Sequence, residues 1–332
     1  MTLARQSIER TRTVSTTLPH LDAPTHGLPR ASLDNPSRMI VFTIVAVTCA
    51  WFAWWRARYL RSLNEAVSRR RPLGRDGLVV GGEGFVLERI GAPAILLLHG
   101  AGDTPQTLRY LGDALHAKGF HVAAPLLPGH GRSLSAFMRI TAGQLTSAAR
   151  SSYENLTVQH SWVGIIGLSM GGALAVQLAA DAPDLPALGL VAPYLVMPAK
   201  IDRAARLSWF WGLFVPAVPS ADGISVRDPV ERERSLAYGV FTAAGLRALQ
   251  QTVRRAARAS PRVRAPTLVI QSREDNRIQM GAAEQAFARL GASEKRLEWI
   301  TGAAHVITVD YGRDVVIGSL ADWMRKHLPS SV

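Results

Sequence analysis

Hydrophobic positions along this chain follow two periods. Short apolar runs at 92–98, 121–125, 162–168, 188–193, 266–272 and 296–300 are too short for helices. Several are β-branched and lack alternation, the pattern of parallel strands buried on both faces. Residues 84–90 alternate instead, as an early strand does. Between the runs the spacing becomes helical. At 104–119, Thr104-Pro105 starts the segment, Leu108, Leu111 and Leu115 share a face, and Gly119 ends it. Residues 143–158, 172–180 and 315–327 also read as helices. Strands alternating with helices predict an α/β fold, a mostly parallel sheet flanked by helices. The alternation stops at 194–265, a stretch that carries several basic helical pieces. Within it Trp209, Phe210, Trp211 and Phe214 crowd six positions, which suits a membrane-touching patch or a small core of its own.

Upstream of this domain the pattern is different. Residues 1–38 are rich in Thr, Ser, Pro and Arg and show no period, which predicts a disordered tail. Residues 39–55 carry no charge and predict a transmembrane helix, with Trp51, Trp54 and Trp55 at its interfacial end. Residues 56–77 read as a basic linker and 78–328 as the folded domain. Arg56, Arg58, Arg61, Arg69, Arg70 and Arg71 follow the apolar run, against only Arg30 and Arg38 shortly before it. That bias predicts a single-pass membrane protein with its folded domain in the cytoplasm.

Composition adds a sizeable core, with 48% hydrophobic and 19% charged residues, and a formal net charge of +13. The basic residues are not interleaved with aromatics, and there is no zinc spacing or Walker loop, so no nucleic acid partner is expected. An anionic membrane surface fits arginines gathered beside an apolar segment. The single cysteine, Cys49, lies in that segment and precludes an intrachain disulfide.

The chemistry centres on Gly167-Leu168-Ser169-Met170-Gly171-Gly172, between a predicted strand and a predicted helix. A serine flanked by glycines at a strand-to-helix turn is a nucleophile elbow, as in α/β-hydrolases. A serine nucleophile needs a base and an acid that orients it, and in that fold they follow in the order Ser, Asp or Glu, His. Asp275 and His305 fit, each just after a predicted strand; Glu274 and Asp310 are the rival carboxylates. His99 and His130 precede the serine, and His99 reads as a brace for its loop.

Leu96-Leu97-Leu98-His99-Gly100, the Ser169 elbow, Gln271-Ser272-Arg273-Glu274-Asp275 and His305-Val306-Ile307-Thr308-Val309-Asp310 together carry a family resemblance. The chain resembles bacterial carboxylesterases and monoacylglycerol lipases of the α/β-hydrolase superfamily over about 78–328. The resemblance implies an α/β-hydrolase fold with 194–265 as an inserted helical cap, whose aromatics would then suit an acyl-binding wall, and two-step acyl transfer through catalytic Ser169, Asp275 and His305. It also implies an oxyanion hole from the backbone N–H groups of Ala101 and Met170. No metal or organic cofactor is called for. The expected substrates are carboxylic esters, with lipid-derived esters such as monoacylglycerols favoured by the membrane segment. Thioesterases, peptidases and acyltransferases share these motifs, and a catalytically idle membrane-anchored interaction protein is the reading outside enzymology.

Overall fold

A computed structural model describes residues 36–219 and 225–329. The predicted tail lies outside the described residues up to residue 35, and 36–38 begin a helix. The chain divides into two compact units, one ending at Ala53 and the other running from Trp54. Helix α1 (Pro36–Arg70) belongs to both. In the first unit, its apolar side chains are exposed, and Thr43 and Thr48 turn their hydroxyls back to the carbonyls of Met39 and Ile44. Among the described residues, α1 is the one helix long and apolar enough to cross a membrane.

In the second unit, strands β1 (Phe85–Leu87), β2 (Ala94–Leu98), β3 (His121–Ala124), β4 (Val163–Leu168) and β5 (Leu188–Val191) join two later strands, β8 (Thr267–Ser272) and β9 (Lys295–Ile300). They form one sheet in the order β1-β3-β2-β4-β5-β8-β9. All pairings are parallel except β1 with β3. The alternating stretch at 84–90 thus yields a three-residue antiparallel edge strand, shorter than its pattern. Period-2 geometry divides the buried strand residues between two cores. Leu96, Leu98, Ile165, Leu188, Leu190 and Val269 face one side, packed by α4 (Ala142–Gln159) and α5 (Met170–Asp181). Ile95, Leu97, Ile166, Leu168, Val191 and Ile270 face the other, under α2 (Arg109–Ala117) and α11 (Arg313–Lys326).

The predicted start of the 104–119 helix is modified. A 3-10 turn, Pro105–Leu108, precedes α2, and the Thr104 side chain makes no capping bond. The Asp103 carboxylate takes the Thr104 N–H instead, at 2.8 Å. Gly119 does end the segment, at φ +101°.

Short elements complete the chain. Helix α3 (Leu134–Phe137) follows β3. After β5 come α6 (Ala199–Arg206), α7 (Ser208–Phe214), β6 (Ala217–Pro219), α8 (Pro229–Arg234), β7 (Val240–Thr242) and α9 (Ala243–Ala259); α10 (Met280–Arg289) follows β8. Strands β6 and β7 form an antiparallel pair. Helix α9 packs on α5, and the Gln177 amide reaches the Thr252 carbonyl at 3.2 Å. Asp202 binds α6 to α9 by accepting from Gln250 and Arg254.

From Trp54 onward α1 is part of this body. Residues 56–70 are helical. Leu63 and Val67 are buried in the core cluster that contains α4, α5 and α9 side chains. The Tyr59 hydroxyl donates to the Ala217 carbonyl at 2.7 Å. Arg71 Nε donates to the Ala237 carbonyl at 3.3 Å.

Candidate active site

Strand β4 ends at Leu168 and α5 begins at Met170, leaving Ser169 alone to make the turn. It does so at φ 55°, ψ −115°, a left-handed conformation that costs a non-glycine residue of order 1–3 kcal/mol. The surroundings hold it there. Ser169 N–H donates to Val191 O at 2.9 Å, and its carbonyl accepts from Tyr194 N–H at 3.0 Å. A Cβ on Gly167 would lie 2.3 Å from Gly171 O, and one on Gly171 would lie 2.0 Å from Leu98 O. The glycines are therefore fixed by backbone crossing, and the same crossing brings the loop after β2 beside Ser169. A methyl on Gly100 would stand 3.5 Å from the Ser169 Cβ.

Two backbone donors border this crossing. Met170 supplies the first N–H of α5, where the helix dipole is positive. Ala101 follows Gly100 in the adjoining loop. Among the described residues, neither N–H donates to a protein acceptor. His99 shapes this loop from beneath. Fully buried, it donates from Nδ1 to Gly100 O at 2.9 Å and accepts from Leu127 N–H at Nε2, 3.0 Å. Burial, aided by neighbouring His130, pushes its pKa down to about 3, so it stays neutral. Buried His130 is itself lowered to about 4 by desolvation and stacks edge-on against His99 and Phe137.

The other side comes from the ends of β8 and β9. His305 Nε2 lies 2.8 Å from Ser169 Oγ, and its Nδ1 lies 2.8 Å from Asp275 Oδ2. The order is Ser169 O–H to Nε2 and Nδ1–H to carboxylate. Asp275 Oδ1 accepts the N–H groups of Arg277 and Ile278 at 2.7 and 2.9 Å, and Oδ2 also accepts the Gln271 amide at 2.7 Å. Burial alone would raise the Asp275 pKa. The charge and hydrogen bond of His305, with the two backbone donors, outweigh that and hold the carboxyl below its ordinary range.

The rival carboxylates have other work. Glu274 accepts the Gly302 N–H at 3.1 Å. Asp310 is buried and accepts four backbone N–H groups, from Ala304, Tyr311, Arg227 and Asp228, at 2.7–2.9 Å. It ties the His305 loop to the start of α8. Sequence reasoning saw Asp310 only as a rival acid. Its position five residues after a loop histidine carried no signal for the 82-residue reach to Asp228.

Ser169 and His305 open into a cavity of about 800 Å³ under the cap. Ile201, Trp211, Val218, Phe241, Leu246 and Leu249 supply apolar wall, while Asp103, Glu231 and Arg277 supply charge. Arg70 and Arg71 also line it, so the end of α1 belongs to the pocket wall, a contribution the sequence reading missed. Asp103, six per cent exposed, is pushed up to about 6 by burial, against the lowering influence of the Thr104 N–H, the Thr107 hydroxyl and the charges of His305 and Arg71.

Residues 92–311 match the model of the serine aminopeptidase S33 family. The chain belongs to this family. Among curated relatives, this S33-family chain is 28% identical over 247 residues to the thermostable monoacylglycerol lipase of Bacillus sp. (strain H-257), covering 74% of this chain and 96% of the relative. It is 24% identical over 237 residues to the carboxylesterase of Bacillus subtilis (strain 168), covering 71% and 94%. A solved structure from the study of LipS and LipT, two metagenome-derived lipolytic enzymes, is 27% identical with a TM-score of 0.68, over 74% of this chain and 98% of that one. The monoacylglycerol lipase of Paleococcus ferrophilus, at 21% identity and a TM-score of 0.63 over 74% and 100%, shares the fold. The chain is an α/β-hydrolase of the lipase and esterase type.

Proposed function

We propose that the protein is a membrane-anchored serine hydrolase that cleaves lipid-derived carboxylic esters, monoacylglycerols among them. The observation that carries this reading is the hydrogen-bonded series Asp275–His305–Ser169 at the mouth of a cavity with a largely apolar cap wall. The relatives named as monoacylglycerol lipase and carboxylesterase support the ester as substrate.

In this mechanism Ser169 Oγ attacks the ester carbonyl carbon while His305 Nε2 takes its proton. The carbonyl oxygen becomes an oxyanion facing the N–H groups of Ala101 and Met170, each worth about 3–4 kcal/mol in the transition state. His305 then gives the proton to the leaving alcohol oxygen as the carbon–oxygen bond breaks. A water enters, loses its proton to His305 and attacks the acyl carbon; His305 then returns that proton to Ser169 Oγ as the acyl carbon–Oγ bond breaks and the fatty acid leaves. Asp275 stays ionised throughout and holds Nδ1–H toward itself, leaving Nε2 free to act as base.

The anchor in this reading is α1, with residues 39–55 in the bilayer and the arginine-rich side in the cytoplasm. Fluorophosphonate labelling of the full-length protein, with turnover of a chain-length series of p-nitrophenyl esters, tests the chemistry. Labelling is expected in the wild type and lost in Ser169→Ala and His305→Ala. Ester turnover by Ser169→Ala should fall by about four orders of magnitude or more. Turnover that survives in Ser169→Ala would remove the serine from its role.

A further inference from the structure

One charge in the cavity wall has no counter-charge in the protein. Arg277 follows Asp275 closely enough for its backbone N–H to support that carboxylate, and its side chain lines the cavity. Nε donates to Ser225 Oγ at 3.1 Å, and the guanidinium carbon lies 5.6 Å from the centre of the Phe241 ring. Both contacts fix the group without neutralising it. Its terminal nitrogens, which carry most of the donors, meet no protein acceptor among the described residues. Asp103, Glu231 and Glu233 also line the cavity, yet none pairs with it, and Glu231 is taken by Arg234 and Arg313. Arg232, another cavity arginine, differs: carbonyls of Val226 and Arg227 hold its Nε and a terminal nitrogen. A partly buried cation without a counter-charge is costly to desolvate, and the planar fork of a guanidinium matches a carboxylate or phosphate.

The same arginine is tied to the reacting groups. Ser225, which holds Nε, accepts the N–H of Val306 at its carbonyl, 2.9 Å, and Val306 follows His305. Tyr194 donates its N–H to Ser169 O, and its ring lies edge-on to His305 with centroids 6.4 Å apart. Burial pushes the Tyr194 pKa up and the Arg277 charge opposes it, so phenol and guanidinium are near neighbours and the phenol keeps its proton. Tyr194 lines the cavity as well, and its hydroxyl makes no hydrogen bond to protein among the described residues.

We infer that Arg277 and the Tyr194 hydroxyl form an anion subsite beside His305, and that the preferred substrate is an ester bearing a phosphate or carboxylate near the scissile carbonyl. The terminal N–H groups of Arg277 take oxygens of the anion, and Tyr194 donates to one of them. The inference rests on the hydrolase reading for the ester alone; the subsite stands on the unpaired arginine. The anion belongs either to the alcohol, as in a glycerol phosphate ester, or to the acid, as in a half-ester of a dicarboxylic acid. Neutral glycerides are then the poorer substrates.

The test compares paired substrates on full-length protein in neutral-detergent micelles. One pair places the anion on the alcohol, oleoylglycerol phosphate against monooleoylglycerol. The other places it on the acid, p-nitrophenyl hemiglutarate against p-nitrophenyl valerate. Wild type is expected to favour the anionic member of one pair in kcat/KM by about tenfold or more, and the pair that shows it assigns the anion to alcohol or acid. Arg277→Gln should erase that preference by raising KM for the anionic ester, and Arg277→Lys should restore part of it. Equal losses on both members in Arg277→Gln would overturn the proposal by making the arginine a support for the His305 loop. Wild type without a preference in either pair would overturn it as well. A wild type that turns over none of these esters and takes no fluorophosphonate label would sink the hydrolase reading separately. Calorimetric binding of dodecyl phosphate to wild type and to Arg277→Gln then decides the subsite, and equal affinities would count against it.

Discussion

Leu98 O and Gly171 O leave no room for a methyl group on either side of Ser169. A Cβ at position 171 would need to stand 2.0 Å from a carbonyl oxygen that belongs to a central strand. Neither group can yield without breaking the β2–β4 ladder, in which Leu98 pairs with Gly167. Gly171→Ala should therefore cost several kcal/mol, at the high end of single substitutions. It should appear as a lowered melting temperature together with lost fluorophosphonate labelling. A subtler charge effect sits at Asp103. Its ordinary pKa of 3.8 is raised to about 6 in the fold. Between those values the folded protein holds a proton that the unfolded chain releases, so stability falls as pH rises through the window and stays lower above it. Asp103→Asn keeps a carbonyl acceptor for the Thr104 N–H and removes the buried charge. The variant should be more stable than wild type at pH 7.5, by about 3 kcal/mol at most. That gain should vanish near pH 4, which paired melting curves at the two pH values would read. A gain that persisted at pH 4 would place the effect elsewhere.

At the scale of elements, the packing of α1 is what charge patterning leaves out. Six arginines between 56 and 71 make that stretch read as a basic linker along a membrane surface. Yet Tyr59, Leu63 and Val67 recur at helical spacing, and the structure buries Leu63 and Val67 against the cap-side core. The apolar stripe was present in the sequence, but charge dominated its reading. Leu63→Ala with Val67→Ala should cost about 2 kcal/mol or more through the lost packing. It should also expose the arginines of α1 to trypsin in the otherwise folded protein. Cleavage rates equal to wild type would mean the helix rests on the body without contributing to it. The sheet was far more legible. Strands β2, β4, β5 and β8 are continuous apolar runs because both faces are buried, and their parallel pairing follows from the alternation with helices. The β6–β7 pair was not legible. Each partner has three residues, one ends in Pro219, and α8 lies between them in the chain, so no local period marks the pair.

For the whole molecule, the motifs of the site could be ordered along the sequence but their support could not. Ser169, Asp275 and His305 each follow a strand of one sheet, and parallel topology brings strand ends together, which is why chain order sufficed to group them. Asp310 gathers N–H groups from residues more than eighty positions apart, and Arg70 and Arg71 reach the cavity from a helix outside the family match at 92–311. Such contacts exist only once the chain has closed on itself, so no window of sequence contains them.

The contact of α1 with the pocket has a consequence for any attempt to remove the apolar run at 39–55. A protease or an engineer who cuts within 56–70 removes an apolar strut, the Tyr59 bond to Ala217 and part of the cavity wall in a single step. A form that keeps its pocket must be severed upstream of Trp54, and it then carries the exposed indole of Trp54 as the scar. Synthesis runs under the same constraint. Residues 54–71 leave the ribosome well before Ala217 and Ala237 exist to receive them, so the hydrolase is completed by closing onto a segment made long before its partners.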